Sequence, residues 1–201
     1  KSMPNARLVV VGRDPGPDVM SLARAGSNVE VAGNVEDVAP YYRAAHMLAV
    51  PLQSGGGTRL KILEAFAAGV PVVSTPVGCE GIEAIPGSHL AVAEIQDFSA
   101  AVAKLLEQPH KARVLAVRAR TLAREKYDWS VVGRSAVEAL GPTPNDVVIG
   151  VTASGRTPYV LGALEAAHHA GALTAAVISA VGAAPRTQFL IAVPVGAEVI
   201  A

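Results

Sequence analysis

The stretch Ser54-Gly-Gly-Gly-Thr-Arg-Leu-Lys61 sets three consecutive glycines ahead of two cationic side chains and an apolar-periodic run. Glycine, lacking Cβ, lets the backbone approach a ligand closely, and the unpaired N–H groups of a helix start attract phosphate or hydroxyl oxygens. Arg59 and Lys61 stand in what reads as a first helical turn, where the helix dipole favours acids; an anion held there would relieve the conflict. Gly55, Gly56, Gly57, Thr58, Arg59 and Lys61 are therefore candidates for gripping a diphosphate. Glu64 has two readings: it pairs with Lys61 one turn away, or its carboxylate accepts hydrogen bonds from the vicinal hydroxyls of a ribose.

These residues need a frame that aims them. Arg7-Leu-Val-Val-Val-Gly12 reads as a buried strand entering a tight loop, continued by Asp14-Pro-Gly-Pro17. Further strands are expected over 28–33, 47–51, 70–74 and 89–93. Helices are expected over 19–25, 35–45, from Leu60 to Gly69, and over 97–107, 111–126 and 130–140. Leu60, Leu63 and Ala67 recur at helical spacing, and Gly69 suits the residue that closes the helix. Leu140-Gly-Pro-Thr-Pro-Asn145 reads as a linker at 141–145. Beyond it the charged residues thin to Asp146, Arg156, Glu165, Arg186 and Glu198. A fresh βαβ unit follows, with strands over 146–151 and 173–179 around a helix over 158–170, then a strand over 189–193.

Composition bounds the class. Of 201 residues 51% are apolar and 17% charged, and the formal charge is zero, which excludes a disordered chain and gives no footprint for a nucleic-acid partner. Scarce aromatics with abundant Ala, Val and Gly point to α/β: a doubly wound, Rossmann-like parallel sheet. A single cysteine, Cys79, excludes an intramolecular disulfide. No segment has the shape of a signal peptide or the apolar length to cross a bilayer, so a cytoplasmic setting is expected. His46, His89, His110, His168 and His169 show no metal-ligand spacing, and no metal is expected. The basic run Lys111, Arg113, Arg118, Arg120, Arg124, Lys126 is expected to be a solvated face rather than a membrane surface.

Pro51-Leu-Gln-Ser-Gly-Gly-Gly-Thr-Arg-Leu-Lys-Ile-Leu-Glu-Ala-Phe-Ala-Ala-Gly-Val-Pro-Val-Val-Ser-Thr75, with Gly78 and Glu80-Gly81, is similar to the signature of retaining GT-B glycosyltransferases (the glycosyl transferases group 1 family). Val9-Val-Val-Gly12, Asn28-Val-Glu-Val-Ala-Gly33 and Tyr41-Tyr-Arg-Ala-Ala45 fall in the family's order, so the resemblance covers residues 1–140. It implies a donor-binding domain that takes a UDP- or GDP-hexose as substrate, with no further cofactor. Two glutamates eight positions apart serve the donor in that family; Glu64 matches the one that meets the ribose, and the other falls on Gly56. Thr58 and Arg59 match the loop that approaches the pyrophosphate. The implied chemistry is front-face displacement without a protein nucleophile, so no side chain is assigned a catalytic role. Trp129, in Tyr-Asp-Trp-Ser, resembles the family's closing-helix anchor and is expected in the core. The resemblance also implies that the chain starts after the family's first βα unit, and that transfer by this chain alone is not expected.

Asn145-Asp-Val-Val-Ile-Gly-Val-Thr-Ala-Ser-Gly-Arg-Thr-Pro-Tyr-Val160, with Gly162-Ala-Leu-Glu165 and Val193-Pro-Val-Gly-Ala-Glu-Val-Ile200, looks like part of the sugar isomerase (SIS) domain of N-acetylmuramic acid 6-phosphate etherase. This resemblance implies a sugar-phosphate site at Ser154, Gly155, Arg156 and Thr157, with Glu198 nearby. The alternative for the same residues is an ordinary strand-to-helix turn with Thr157 as N-cap and Pro158 at N1. Two such pieces in one chain read as a fusion or chimera. The expectation for the fold is that the second piece docks on the sheet edge of the first and completes one doubly wound domain.

Overall fold

The computed structural model describes residues 6–23, 28–55, 59–179 and 185–193. They divide into two compact units, Lys1–Ala123 and Arg124–Ala201. The first contains β1 (Leu8–Gly12), α1 (Pro17–Met20), β2 (Val29–Gly33), α2 (Ala39–Ala44), β3 (Leu48–Val50), α3 (Leu60–Ala68), β4 (Val72–Ser74), β5 (Ala91–Val92), α4 (Phe98–Leu106) and most of α5 (Pro109–Lys126). Helix starts follow local chemistry. Pro17 opens α1 earlier than the apolar pattern predicts, and α2 waits until Ala39, whose N–H donates to the Asp37 carboxylate at 2.8 Å.

The strands run parallel, as the α/β reading requires. β1 pairs with β2 from Leu8↔Val29 to Gly12↔Gly33, while β4 lies between β3 and β5 in a second sheet. Consecutive residues Val72, Val73 and Ser74 are wholly buried; because alternate side chains point to opposite faces, both faces of β4 are covered. Val73 joins Phe98, Leu105, Ala112 and Leu115 in one core, and Ile62, Ala65 and Phe66 bury the inner stripe of α3. Gly69, at φ +74°, closes α3 in the left-handed conformation read from sequence. The six basic side chains of α5 are all exposed.

The second unit contains α6 (Trp129–Leu140), β6 (Val147–Thr152), α7 (Pro158–His169), β7 (Leu173–Ile178) and β8 (Phe189–Ala192), with parallel strands in the order β6-β7-β8. Residues 141–146 form a turn: Gly141 ends α6 at φ +59°, and the Asp146 carboxylate accepts from the Thr143 N–H and hydroxyl, both at 2.7 Å.

Two expectations are corrected. Among the described residues β6, β7 and β8 pair only with one another, so the segment builds its own sheet instead of completing the first. The reason lies in α6 and α7. A Cβ on Gly133 would sit 2.1 Å from the Tyr159 carbonyl oxygen, and one on Gly162 would sit 2.5 Å from that of Ser130. The two helices meet backbone to backbone, and Val137 of α6 shares a core with Ala167 and Ala172, with Val148 of β6 packed against it. The segment's partner is thus the helix just upstream. Trp129, expected in the core, is 54% exposed and meets Tyr159 edge-on at 6.4 Å.

Candidate functional site

β3 and β4 are adjacent and parallel, so the loops leaving Val50 and Ser74 emerge together at the carboxyl edge, where open α/β sheets bind ligands. Thr75 ties these loops. Its N–H donates to the Val50 carbonyl at 3.1 Å, its hydroxyl donates to the Leu52 carbonyl, and the same oxygen accepts from the Gly78 N–H at 3.1 Å. A Cβ on Gly78 would stand 2.3 Å from Ser74 Oγ, so a side chain there would displace the buried Ser74 hydroxyl. Burial pushes the adjacent Cys79 thiol up, which makes it a poor nucleophile at neutral pH.

The glycine turn is described at its two ends. Gly55, at φ +140°, uses a conformation that favours glycine, and its carbonyl accepts from Arg59 Nη2 at 3.0 Å. Arg59 is only 7% exposed and its guanidinium lies 3.8 Å from the Glu80 carboxylate. Sequence reading cast Arg59 as a cation for the diphosphate; in the structure it also bridges the mouth of the turn and carries the start of α3, its carbonyl accepting from Ile62. Gly56, Gly57 and Thr58 lie outside the described residues. Lys61 and Glu64 are exposed on the first turns of α3.

Glu64 has a partner that spacing did not reveal. The Tyr42 hydroxyl, from α2, lies 3.0 Å from Glu64 Oε2 and 3.1 Å from the Lys61 carbonyl oxygen. Burial, then the hydrogen bond and the charge of Glu64, hold the phenol in its neutral form well above the ordinary tyrosine range. Among the described residues no ion pair joins Lys61 to Glu64, and the carboxylate answers to Tyr42 instead. Tyr42, Thr75 and Glu80 are the shaping residues that the sequence reading did not single out. All three sit in the stretch that carried the resemblance, but only the fold shows whom they touch.

At the carboxyl end of β6, Gly155 adopts φ +66° and Ser154 Oγ accepts from the Arg156 N–H at 3.2 Å. Thr157 occupies the N-cap position of α7 with Pro158 following, yet its hydroxyl is paired with that of Thr152 at 2.7 Å and makes no cap bond. Ser154 and Arg156 remain exposed, and Glu198 lies outside the described residues. A cavity of about 440 Å³ in the first unit, lined by Met47, Gly69, Pro71, Leu105 and the Arg113/Arg120 face of α5, opens at the amino ends of β3 and β4. It is thus at the edge opposite the glycine turn.

Solved glycosyltransferase relatives share the fold. Sucrose-phosphate synthase from Thermosynechococcus elongatus superposes with TM-score 0.57 at 26% identity, over 67% of this chain and 37% of that one. Anabaena Alr3699/HepE, solved with UDP and glucose, superposes with TM-score 0.59 at 18% identity, over 69% of this chain and 41% of that one. The fold is GT-B-like. The profile of the family described as glycosyl transferases group 1 matches residues 1–108, and the chain belongs to that family.

Curated relatives repeat the two-part resemblance. The GDP-mannose-dependent alpha-(1-6)-phosphatidylinositol monomannoside mannosyltransferase of Mycolicibacterium smegmatis is 29% identical over 157 residues, 70% of this chain and 41% of that protein. The N-acetylmuramic acid 6-phosphate etherase of Burkholderia lata is 48% identical over 75 residues, 36% of this chain and 25% of that protein. That share exceeds what residues 144–201 hold, so the likeness reaches upstream of Pro144. The chain thus spans about a quarter of the etherase and under half of the mannosyltransferase. No described helix is long and apolar enough to cross a membrane.

Proposed function

We propose that the first unit binds the nucleotide diphosphate of a UDP- or GDP-hexose at the carboxyl edge of β3 and β4. The glycine turn, Gly55 to Gly57 with Thr58, lies against the pyrophosphate; Arg59 shapes that turn and adds charge; Lys61 faces the phosphates; and Glu64 receives the ribose hydroxyls. The observation that carries this reading is the Gly55–Arg59 bond at 3.0 Å, which holds a buried guanidinium against Gly55 at the start of α3, one turn ahead of the exposed Glu64 carboxylate. The solved neighbour holding UDP and glucose supports it. The proposal is for binding of the donor's nucleotide diphosphate.

Calorimetric titration with UDP, GDP and their hexose conjugates tests this. Saturable binding is expected, with Glu64→Ala weakening it by about ten- to a hundredfold, since hydrogen bonds to a charged group contribute about 1.5–3 kcal/mol. Binding indifferent to Glu64→Ala and Arg59→Ala overturns the assignment.

A second reading rests on the Ser154 turn, where the Thr152–Thr157 bond turns the Thr157 hydroxyl away from the helix start. In it the second unit binds a sugar phosphate through Ser154, Gly155, Arg156 and Thr157. Saturable binding of N-acetylmuramic or glucosamine 6-phosphate, lost in Ser154→Ala, is its expected signature; no binding of either sugar phosphate rejects it.

A further inference from the structure

Glu64 stands on an exposed helix turn, where a carboxylate unrestrained by neighbours samples several rotamers and loses that freedom only on meeting a ligand. Here it is not unrestrained. The Tyr42 hydroxyl, 22 residues away in sequence, is 3.0 Å from Oε2 and 3.1 Å from the carbonyl of Lys61, which lies one helical turn before Glu64. The single phenol proton is shared between the Glu64 carboxylate and the Lys61 carbonyl, which holds Tyr42 against this face of α3 and gives Oε2 a fixed donor. A carboxylate has about four lone-pair sites, and Tyr42 occupies one of them on Oε2. Among the described residues no hydrogen bond reaches Oε1, which leaves its lone pairs for two vicinal hydroxyls. The raised phenol pKa fits this arrangement, because the neutral O–H is the form that donates.

We propose that Tyr42 is a positioning residue for ribose recognition: it fixes Glu64 in the rotamer that presents Oε1 to the nucleotide's diol. This rests on the assignment of Glu64 under the proposed function. It predicts that Tyr42 affects affinity only through Glu64 and only when the diol is present.

The test is a cycle of full-length wild type, Tyr42→Phe, Glu64→Ala and the double variant, titrated with UDP and GDP and with their 2′,3′-dideoxy counterparts, each variant checked for an unchanged thermal transition. Tyr42→Phe is expected to weaken UDP or GDP binding about fivefold, the scale of one ordinary hydrogen bond. It is expected to leave the dideoxy nucleotides unaffected and to add nothing in the Glu64→Ala background. Equal weakening of normal and dideoxy nucleotides, or an additive double variant, overturns the positioning role while leaving nucleotide binding intact. Wild type that binds no nucleotide overturns both readings. If Tyr42→Phe lowers the thermal transition, Tyr42→Trp or →Leu loss measured with the same nucleotide pair decides, since a structural defect weakens both members alike.

Discussion

Tyr42 carries a second, pH-dependent signature at the residue scale. Its folded pKa is raised by burial and by the Glu64 carboxylate, so in alkaline solution the unfolded phenol releases a proton that the folded one keeps. The stability it contributes is complete below the unfolded value of about 10 and is lost as pH climbs from there through the folded value. Spectrophotometric titration of wild type should show one phenol ionising late, and Tyr42→Phe should remove that late step along with the matching alkaline loss of stability. A Tyr42→Phe variant that loses an ordinary early step from the titration and keeps the wild-type alkaline loss of stability would contradict the Tyr42–Glu64 bond. The sequence made Glu64 and the glycine turn legible because their chemistry is local: a helix start, a glycine run, charges within a turn. It could not make Tyr42 legible, since the bond to Glu64 depends on α2 and α3 lying side by side. Nor could local spacing foretell that Arg59 folds back onto Gly55.

At the scale of elements, the positions of strands and helices were readable to within a few residues because apolar periodicity and stop signals agreed. Gly69 ended α3, and Asp128 caps α6 by accepting from the Ser130 N–H at 2.9 Å. What the pattern did not disclose was which elements adjoin. Gly133 reads as an unremarked helical glycine in sequence, yet it is the point where α6 touches the backbone of α7, with Gly162 answering from the other side. Adding a methyl at either position has no flexible side chain to displace, so the helices must separate. Gly133→Ala and Gly162→Ala should each destabilise the second unit by about 1–3 kcal/mol, the usual range for overpacking, and the pair should fall short of the sum because both open one interface. Urea unfolding followed by Trp129 fluorescence measures this. Wild-type midpoints in both variants would mean that α6 and α7 do not meet as described.

The whole molecule carries two resemblances, and among the described residues each unit pairs its strands only internally, two parallel sheets in the first and one in the second, around cores of its own. Sequence composition placed the seam at the proline-rich stretch because the charge thins there. Packing divides the chain near Ala123, so α6 goes with the second unit by contact, whereas the etherase likeness extends upstream of Pro144. A thermodynamic consequence follows from where the reporters sit. The sole tryptophan, Trp129, belongs to the second unit, whereas the proposed nucleotide site lies wholly in the first. A ligand that binds one folded unit stabilises that unit by mass action, about 2.7 kcal/mol at a hundredfold excess over Kd. Saturating UDP or GDP should therefore delay the loss of far-ultraviolet ellipticity from the first unit while the Trp129 fluorescence transition keeps its midpoint, and Gly133→Ala should do the reverse. A single transition, shifted equally in both signals by nucleotide, would show that the two units fold as one cooperative body and that the seam has no energetic meaning.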